Sequence, residues 1–438
     1  MSDKYFGSSS GLTLVTDAGT AFVSSKFNSG HMVGDIKLAT LSDTDATNVT
    51  GTELVTNGDF ATGDLTGWTD ASTGTGSAVY DAGTVKLTSA DSSSNVGRIN
   101  QANLLTPSRV VISYEVTAIT GGTVYVYLDG VSKAQATSAG KYFVTFDADG
   151  SSTLYFRLIG AGTANIDNVS VRLAEEDRSV NGNGLQVFGT VTKTPVATGA
   201  DLVAYSGFST SNYLQQPYNI DLDFGTGDFC VMAWVKGGEN YDSIFARSDN
   251  ATTTTELIWQ LGNTADSYRV FLAGTQINTG SLGFSGTSWN LHTLVRKSGT
   301  AYFYINGVLE YSAAAAGSNT QTGAITTVGN SAFVATSIGA DPFIGSIALF
   351  RISGTAPTAA QIAQIYEDEK VLFQDGAQAT LYGTSDAVTA LAYDSDTNLL
   401  HVGSSSGRSV FQGLRRVDNT TDAVGSCISA VNNLVAED

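Results

Sequence analysis

Apolar and polar residues alternate with a period of two through much of this sequence, and the runs break at two-residue turn signals. Thr123-Val-Tyr-Val-Tyr-Leu128 runs into Asp129-Gly130, and Ala301-Tyr-Phe-Tyr-Ile305 runs into Asn306-Gly307. A period of two sends successive side chains to opposite faces of a strand. Asp-Gly and Asn-Gly tolerate the positive φ of a hairpin turn whose twist suits paired strands. Further turn clusters recur at roughly 8–12-residue spacing, as in sandwiches and barrels. The chain therefore reads as all-β and mostly antiparallel. One helix stands apart. Thr358 reads as its N-cap, with Gln361 three residues on completing a capping box. Ile362, Ile365 and Tyr366 fall on one face, and Glu367, Asp368, Glu369 and Lys370 form a polar end. It reads as a closing element after many strands.

The charge balance narrows the partners. Lys and Arg number 22 against 41 Asp and Glu, a net charge of −19, so phosphate is repelled and nucleic acid is not an expected partner. No apolar run approaches the roughly 20 residues of a spanning helix, so membrane insertion is not expected either. Cys230 and Cys427 lie far apart and make no disulfide framework. The opening Met-Ser-Asp-Lys-Tyr lacks the basic and apolar regions of a secretory signal. At roughly 100–200 residues per domain the length allows about two to four domains. The divisions fall at 1–52, 53–175, 176–372 and 373–438, with Glu175-Glu-Asp-Arg178 as the charged joint between the two middle pieces.

Residues 53–173 carry Asn57-Gly-Asp-Phe60, Gly67-Trp68 and, near the end, Ile166-Asp-Asn-Val169. This set resembles the galactose-binding-like jelly roll of carbohydrate-binding modules. The resemblance implies a β-sandwich, glycan binding and a structural calcium joining the first and last strands. Its ligands would map to Asp59 and Asp167. Ala61 stands where the family carries glutamate, which removes one oxygen from a cation that takes six to eight. Trp68 reads as core. Tyr125 and Tyr127 share the strand face opposite Val124, Val126 and Leu128, and are candidate glycan contacts. The ordinary alternative is that a neighbouring strand or domain covers them, the commoner fate of strand tyrosines.

Residues 213–372 carry four ordered motifs. These are Asp228-Phe-Cys-Val-Met-Ala-Trp-Val-Lys236, Ser288-Trp-Asn-Leu-His-Thr-Leu-Val-Arg296, Tyr302-Phe-Tyr-Ile-Asn-Gly-Val-Leu309, and Ile338-Gly339 followed by Phe343-Ile-Gly-Ser-Ile-Ala-Leu-Phe-Arg-Ile352. Together they resemble laminin-G-like and concanavalin-A-like lectin domains. The resemblance implies a second antiparallel sandwich that binds sugars, proteins or nothing. Trp234, Trp289, Phe303 and Phe350 read as core, and His292 as a packed histidine. Tyr241, Asp242, Arg247, Trp259 and Tyr268, with Asn240 and Asp249, are the candidate glycan-binding rim, against the alternative of scattered surface residues. A glycosidase needs two carboxyls about 5–10 Å apart across the bond. No paired-acid strand is visible, and Glu256 has no second acid close in sequence, so the chain is not expected to be an enzyme.

The flanks look alike. Leu400-His-Val-Gly-Ser-Ser-Ser-Gly-Arg-Ser-Val-Phe411 aligns without gaps with Leu12-Thr-Leu-Val-Thr-Asp-Ala-Gly-Thr-Ala-Phe-Val23, and both read as strand, turn, strand. With Ala387-Val-Thr-Ala-Leu-Ala-Tyr-Asp394 they resemble β-propeller blades. The expected fold is therefore two jelly-roll sandwiches inserted in a blade-like base that reunites both termini. The flanks offer about eight candidate strands, roughly two blades, whereas a closed ring takes about four to eight. Three copies would supply the rest, so a homotrimer is expected. This architecture resembles structural proteins of tailed bacteriophages. It implies a virion appendage that adheres to host-surface glycans and contacts other virion proteins. A purely structural virion or filament component, a polysaccharide depolymerase and a bacterial adhesin are the alternatives.

Overall fold

The computed structural model describes residues 12–16, 19–23, 31–32, 34–40, 45–102, 108–128, 130–148, 153–179, 181–249, 257–264, 266–331, 341–385 and 387–438. Asp129, Glu256 and the Ile338-Gly339 motif lie outside the described residues. The architecture is all-β: antiparallel pairing links twenty strands into one large, nearly closed sheet, with smaller antiparallel sheets beside it.

The first sandwich sets two five-stranded sheets face to face. One runs in the order Val131–Ala136, Thr123–Leu128, Leu154–Ile159, Arg98–Gln101, Thr69–Asp70. The other runs Gly140–Ala148, Ser108–Ile119, Gly162–Glu175, Thr84–Ser89, Ser77–Asp81. Val124, Val126 and Leu128 enter the core between them, as their alternation requires, together with Phe60, Trp68 and Phe156. The segment that enters the sandwich is tied to its last strand by Glu53. Its carboxylate accepts the Val171 N–H at 2.8 Å and the Ser170 hydroxyl at 2.7 Å, and stands 3.2 Å from Arg172 Nε.

The second sandwich is entered without a flexible linker. Gly162–Glu175 pairs with Leu185–Pro195 through Glu175↔Leu185, so the strands pass from one sandwich into the next. The charged joint is correspondingly buried. Asp177 is 3% exposed and accepts the Ala39, Ser179 and Asn183 N–H groups, each at 2.9 Å. Phe229–Gly237 lies at the heart of one sheet, between Asn290–Lys297 and Gly345–Ser353. Phe229, Val231, Ala233 and Val235 face the opposing sheet, while Cys230, Met232 and Trp234 face outward. That outer face is covered by the helix Ala359–Glu369, capped by Thr358 and Gln361 as their spacing predicts. Ile362 and Ile365 seal the lid.

Two expectations are corrected. Glu369 is not part of a solvated polar end: it is fully buried, accepts Trp234 Nε1–H at 2.7 Å and pairs with Arg351 at 2.8 Å. Trp289 is half-buried, not core, because it sits before its strand begins, at the margin of the lid. Within the N-terminal flank, Ile36–Thr40 joins Gly345–Ser353 and Val49–Gly51 joins Leu185–Pro195, because Leu38 and Ile36 find apolar partners in the second sandwich. Both aligned flank segments do form hairpins, Leu12–Thr16 with Gly19–Val23 and Leu399–Ser404 with Gly407–Gln412. The C-terminal hairpin belongs to a four-stranded meander spanning Val388–Asp394 to Arg415–Asn419. Among the described residues no strand pairing joins the two flanks.

Glu369→Ala leaves the Trp234 N–H and the Arg351 guanidinium without this buried carboxylate. The expected loss is about 3–5 kcal/mol, read as a fall in the urea midpoint. A loss under about 1 kcal/mol, the range of an exposed pair, contradicts a structural role for this contact.

Candidate functional site

The candidate cleft is built on the outer face of the second sandwich's other sheet. In Tyr268–Leu272, Tyr268, Val270 and Leu272 turn into the core, so Arg269 and Phe271 turn out. In Thr275–Asn278, Ile277 turns in and Gln276 and Asn278 turn out. Arg269 lies opposite Gln260, and its Nε and one terminal nitrogen donate to Gln260 Oε1 at 3.0 and 2.7 Å. Gln260 Nε2 in turn donates to Asp341 Oδ2 at 2.8 Å and Ser243 Oγ at 2.9 Å. The guanidinium is thereby held 4.5 Å over the Tyr241 ring, within cation–π range.

Tyr241 is 40% exposed at a φ of 70°, a conformation that costs a non-glycine residue energy and clusters at functional sites. Asp242 maintains it. Its buried carboxylate accepts the Glu239 N–H at 2.8 Å and the Ile344 N–H at 2.7 Å, closing the turn. Burial pushes the Asp242 carboxyl up from its ordinary value, and the like charges of Glu239 and Asp341 add to the rise. Tyr241, Arg269, Asn263, Gln276, Asn278 and Thr279 surround a cleft of about 370 Å³. An aromatic ring, a cation, amides and a hydroxyl around one concavity can take a ligand with apolar C–H faces and many hydroxyls.

Of the other expected rim residues, Asn240 is exposed and Asp249 half-buried, but Trp259, Tyr268 and Arg247 do not reach the surface. Trp259 and Tyr268 turn into the core between the sheets and have no exposed area, and Arg247 has 2%. Arg247 is bound to Asp223 at 2.5 Å, and Asp223 also accepts the Tyr218 hydroxyl and the Gln321 N–H. The Tyr268 hydroxyl shares a hydrogen bond with His292 Nδ1, inside an aromatic cluster with Phe284. Sequence reasoning missed Arg269, Asn263, Gln276 and Asn278. Strict alternation in Tyr268–Leu272 was the available signal for Arg269.

Tyr125 and Tyr127 do lie opposite the core face and are half-buried. Tyr127 stacks on Tyr155 at 4.6 Å, Tyr125 lies 6.1 Å from Tyr127, and the Arg98 guanidinium sits 4.3 Å over Tyr155. The ring faces that a sugar would use are largely turned on neighbouring groups of the same sheet. Asp59 and Asp167 flank the seam closed by Glu53. Burial raises the Asp167 carboxyl, and the charges of Glu115 and Asp59 contribute. Asp167 accepts the Asn168 N–H at 2.7 Å and Asp59 the Ala61 N–H at 3.2 Å. Among the described residues no group of three or more His, Cys, Asp or Glu side chains is arranged to hold a metal.

His292 gives a measurable consequence. Burial pushes its pKa down to about 3. The unfolded chain binds this proton near pH 6.5, so the stability tied to neutral His292 is complete above that pH. It drains as pH falls toward 3, by about 1.4 kcal/mol per unit. His292→Gln is expected to flatten the decline in urea midpoint between pH 6.5 and 5. An unchanged decline shows that His292 does not govern it.

Residues 208–363 match the family model Laminin_G_3, the concanavalin A-like lectin/glucanases superfamily. This stretch is thus a lectin-like, laminin G-type domain. No curated protein matches the chain. Among solved structures, domain 4 of AbnA, an extracellular arabinanase from Geobacillus stearothermophilus in complex with arabinotriose, is similar at 18% identity. The match covers 44% of this chain and 92% of that one, with a TM-score of 0.34. The receptor-binding domain of botulinum neurotoxin C/D mosaic serotype is similar at 13% identity over 56% of this chain and 60% of its own, TM-score 0.35. The Ruminococcus gnavus sialidase module CBM40, bound to α2,6-sialyllactose, is similar at 14% identity over 32% and 83%, TM-score 0.28.

Proposed function

We propose that this chain is a carbohydrate-binding protein that does no chemistry on its ligand, and that the Tyr241 cleft holds a glycan residue. The observation that carries the reading is one exposed ring, one oriented guanidinium and three side-chain amides around a single cleft within the segment that matches the lectin model. A sugar presents a C–H face to an aromatic ring and hydroxyls to amides, so this composition suits it. Two nearby carboxyls are committed elsewhere: Asp242 to backbone N–H groups and Asp341 to Gln260. That commitment supports binding without hydrolysis.

A cleft of this size takes one or two sugar residues, and single sites of this kind bind weakly. Repetition of the site on one particle gains factors of about 10²–10⁴ by avidity. The wider reading, a virion appendage that adheres to host-surface polysaccharide, is supported by the pairing of two sandwiches with a blade-like meander.

The test is binding to a glycan array followed by calorimetry on the best ligand. Tyr241→Ala and Arg269→Ala are each expected to weaken binding tenfold or more, about 1.4 kcal/mol, while the polymer keeps its size in chromatography. Wild-type affinity in both variants removes the cleft from the reading, and polymer shortening replaces it with hydrolysis.

A further inference from the structure

A second cleft lies on the opposite flank of the same sandwich, where the helix and the short turn Lys370–Phe373 leave the sheet partly uncovered. Trp234, 2% exposed, forms its floor. Phe373 stacks on Trp234 with ring centroids 4.2 Å apart, and Tyr366 stacks at 5.7 Å. Trp289 stands at the margin. Its Nε1–H donates to Val196 O at 2.9 Å, which fixes the indole. It meets Phe373 at 5.0 Å with the planes tilted by 50°, so the two rings do not cover each other face to face. This contrasts with Tyr127 and Tyr155 of the first sandwich, whose rings stack nearly parallel. The cleft measures about 490 Å³.

The polar groups around it balance in charge. Lys236 is exposed and has no carboxylate partner among the described residues. Lys370 is tied to Glu367 at 2.5 Å. Asp375 is exposed and uses one oxygen to accept the Thr198 N–H at 3.1 Å, leaving the other free for a hydroxyl. The cleft therefore offers fixed indole and phenyl surfaces, one ammonium donor and one carboxylate acceptor, with no net positive charge. In a chain of net charge −19 nothing here favours an anion.

We propose that this cleft is a second saccharide site, selective for uncharged sugar residues. The C–H face of a pyranose packs on Trp289, its hydroxyls receive hydrogen bonds from Lys236, and one donates to Asp375. The site is independent of the Tyr241 cleft and stands whether or not that cleft binds.

Tryptophan emission and saturation-transfer NMR on the full chain test it, with neutral gluco-, xylo- and manno-oligosaccharides beside uronate-bearing ones. Neutral oligosaccharides are expected to shift the emission. Trp289→Ala is expected to weaken that response tenfold or more, and Tyr241→Ala to leave it intact. Because Trp289→Ala also removes the Val196 hydrogen bond, Lys236→Met serves as the second variant; its side chain is exposed, and a loss of several-fold is expected. Silence of the wild-type chain toward every neutral oligosaccharide overturns the site. Wild-type binding by both variants overturns it as well. A response confined to uronate-bearing sugars overturns the neutral class.

Discussion

A strand buried on both faces must find apolar cover twice, and the strand Phe229–Gly237 imposes that demand on this protein. Its odd-numbered face is met by the opposing sheet, which supplies Leu214, Trp259 and Val328. Its even-numbered face, with Cys230, Met232 and Trp234, is met by the helix. Burying Trp234 there would strand its N–H, and burying Arg351 would strand a cation. Glu369, at the last turn of the helix, answers both. A buried carboxylate is costly alone, and here it is held by two donors. The lid, its closing ion pair and the aromatic cleft at its margin all follow from covering that second face.

The same logic explains why the two sandwiches are not beads on a string. Gly162–Glu175 finishes the first and pairs into the second, so the joint is a strand ladder. Lys193 lies 3.7 Å from Glu175, and Tyr205 donates to Glu175 at 2.6 Å, which neutralises the joint where it is buried. The C-terminal meander is also anchored. Asp201 accepts the Ala379 N–H and the Thr380 hydroxyl, each at 2.9 Å, and Leu414 enters the core beneath the helix. Side chains that face the two clefts thus stand on a supported frame, which is what weak, oriented binding of a polyhydroxyl ligand requires.

The two clefts differ in how their aromatic groups are used. At Tyr241 a guanidinium is pinned over a strained, exposed ring by Gln260. At Trp289 an indole is pinned by a backbone carbonyl. In the first sandwich the tyrosines pair with one another instead. Aromatic residues outside the cores therefore have two fates here: mutual stacking on a strand face, as for Tyr127 and Tyr155, or presentation from a turn or strand margin, as for Tyr241 and Trp289.

Alternation alone determined a good deal. It put Val124, Val126 and Leu128 inward and Tyr125 and Tyr127 outward, and the Thr358–Gln361 spacing located the helix start, because both signals are local and repeat within a few residues. It could not determine that Trp259 and Tyr268 would vanish into a core, that Glu369 would be buried, or that Ile36–Thr40 would pair into the second sandwich. Nor could it bring Tyr241 to Arg269 or Trp289 to Phe373. Those outcomes depend on which strands lie side by side and on whether a second layer covers their outer face. Both are set by contacts between residues far apart in the chain, which only the assembled tertiary structure decides.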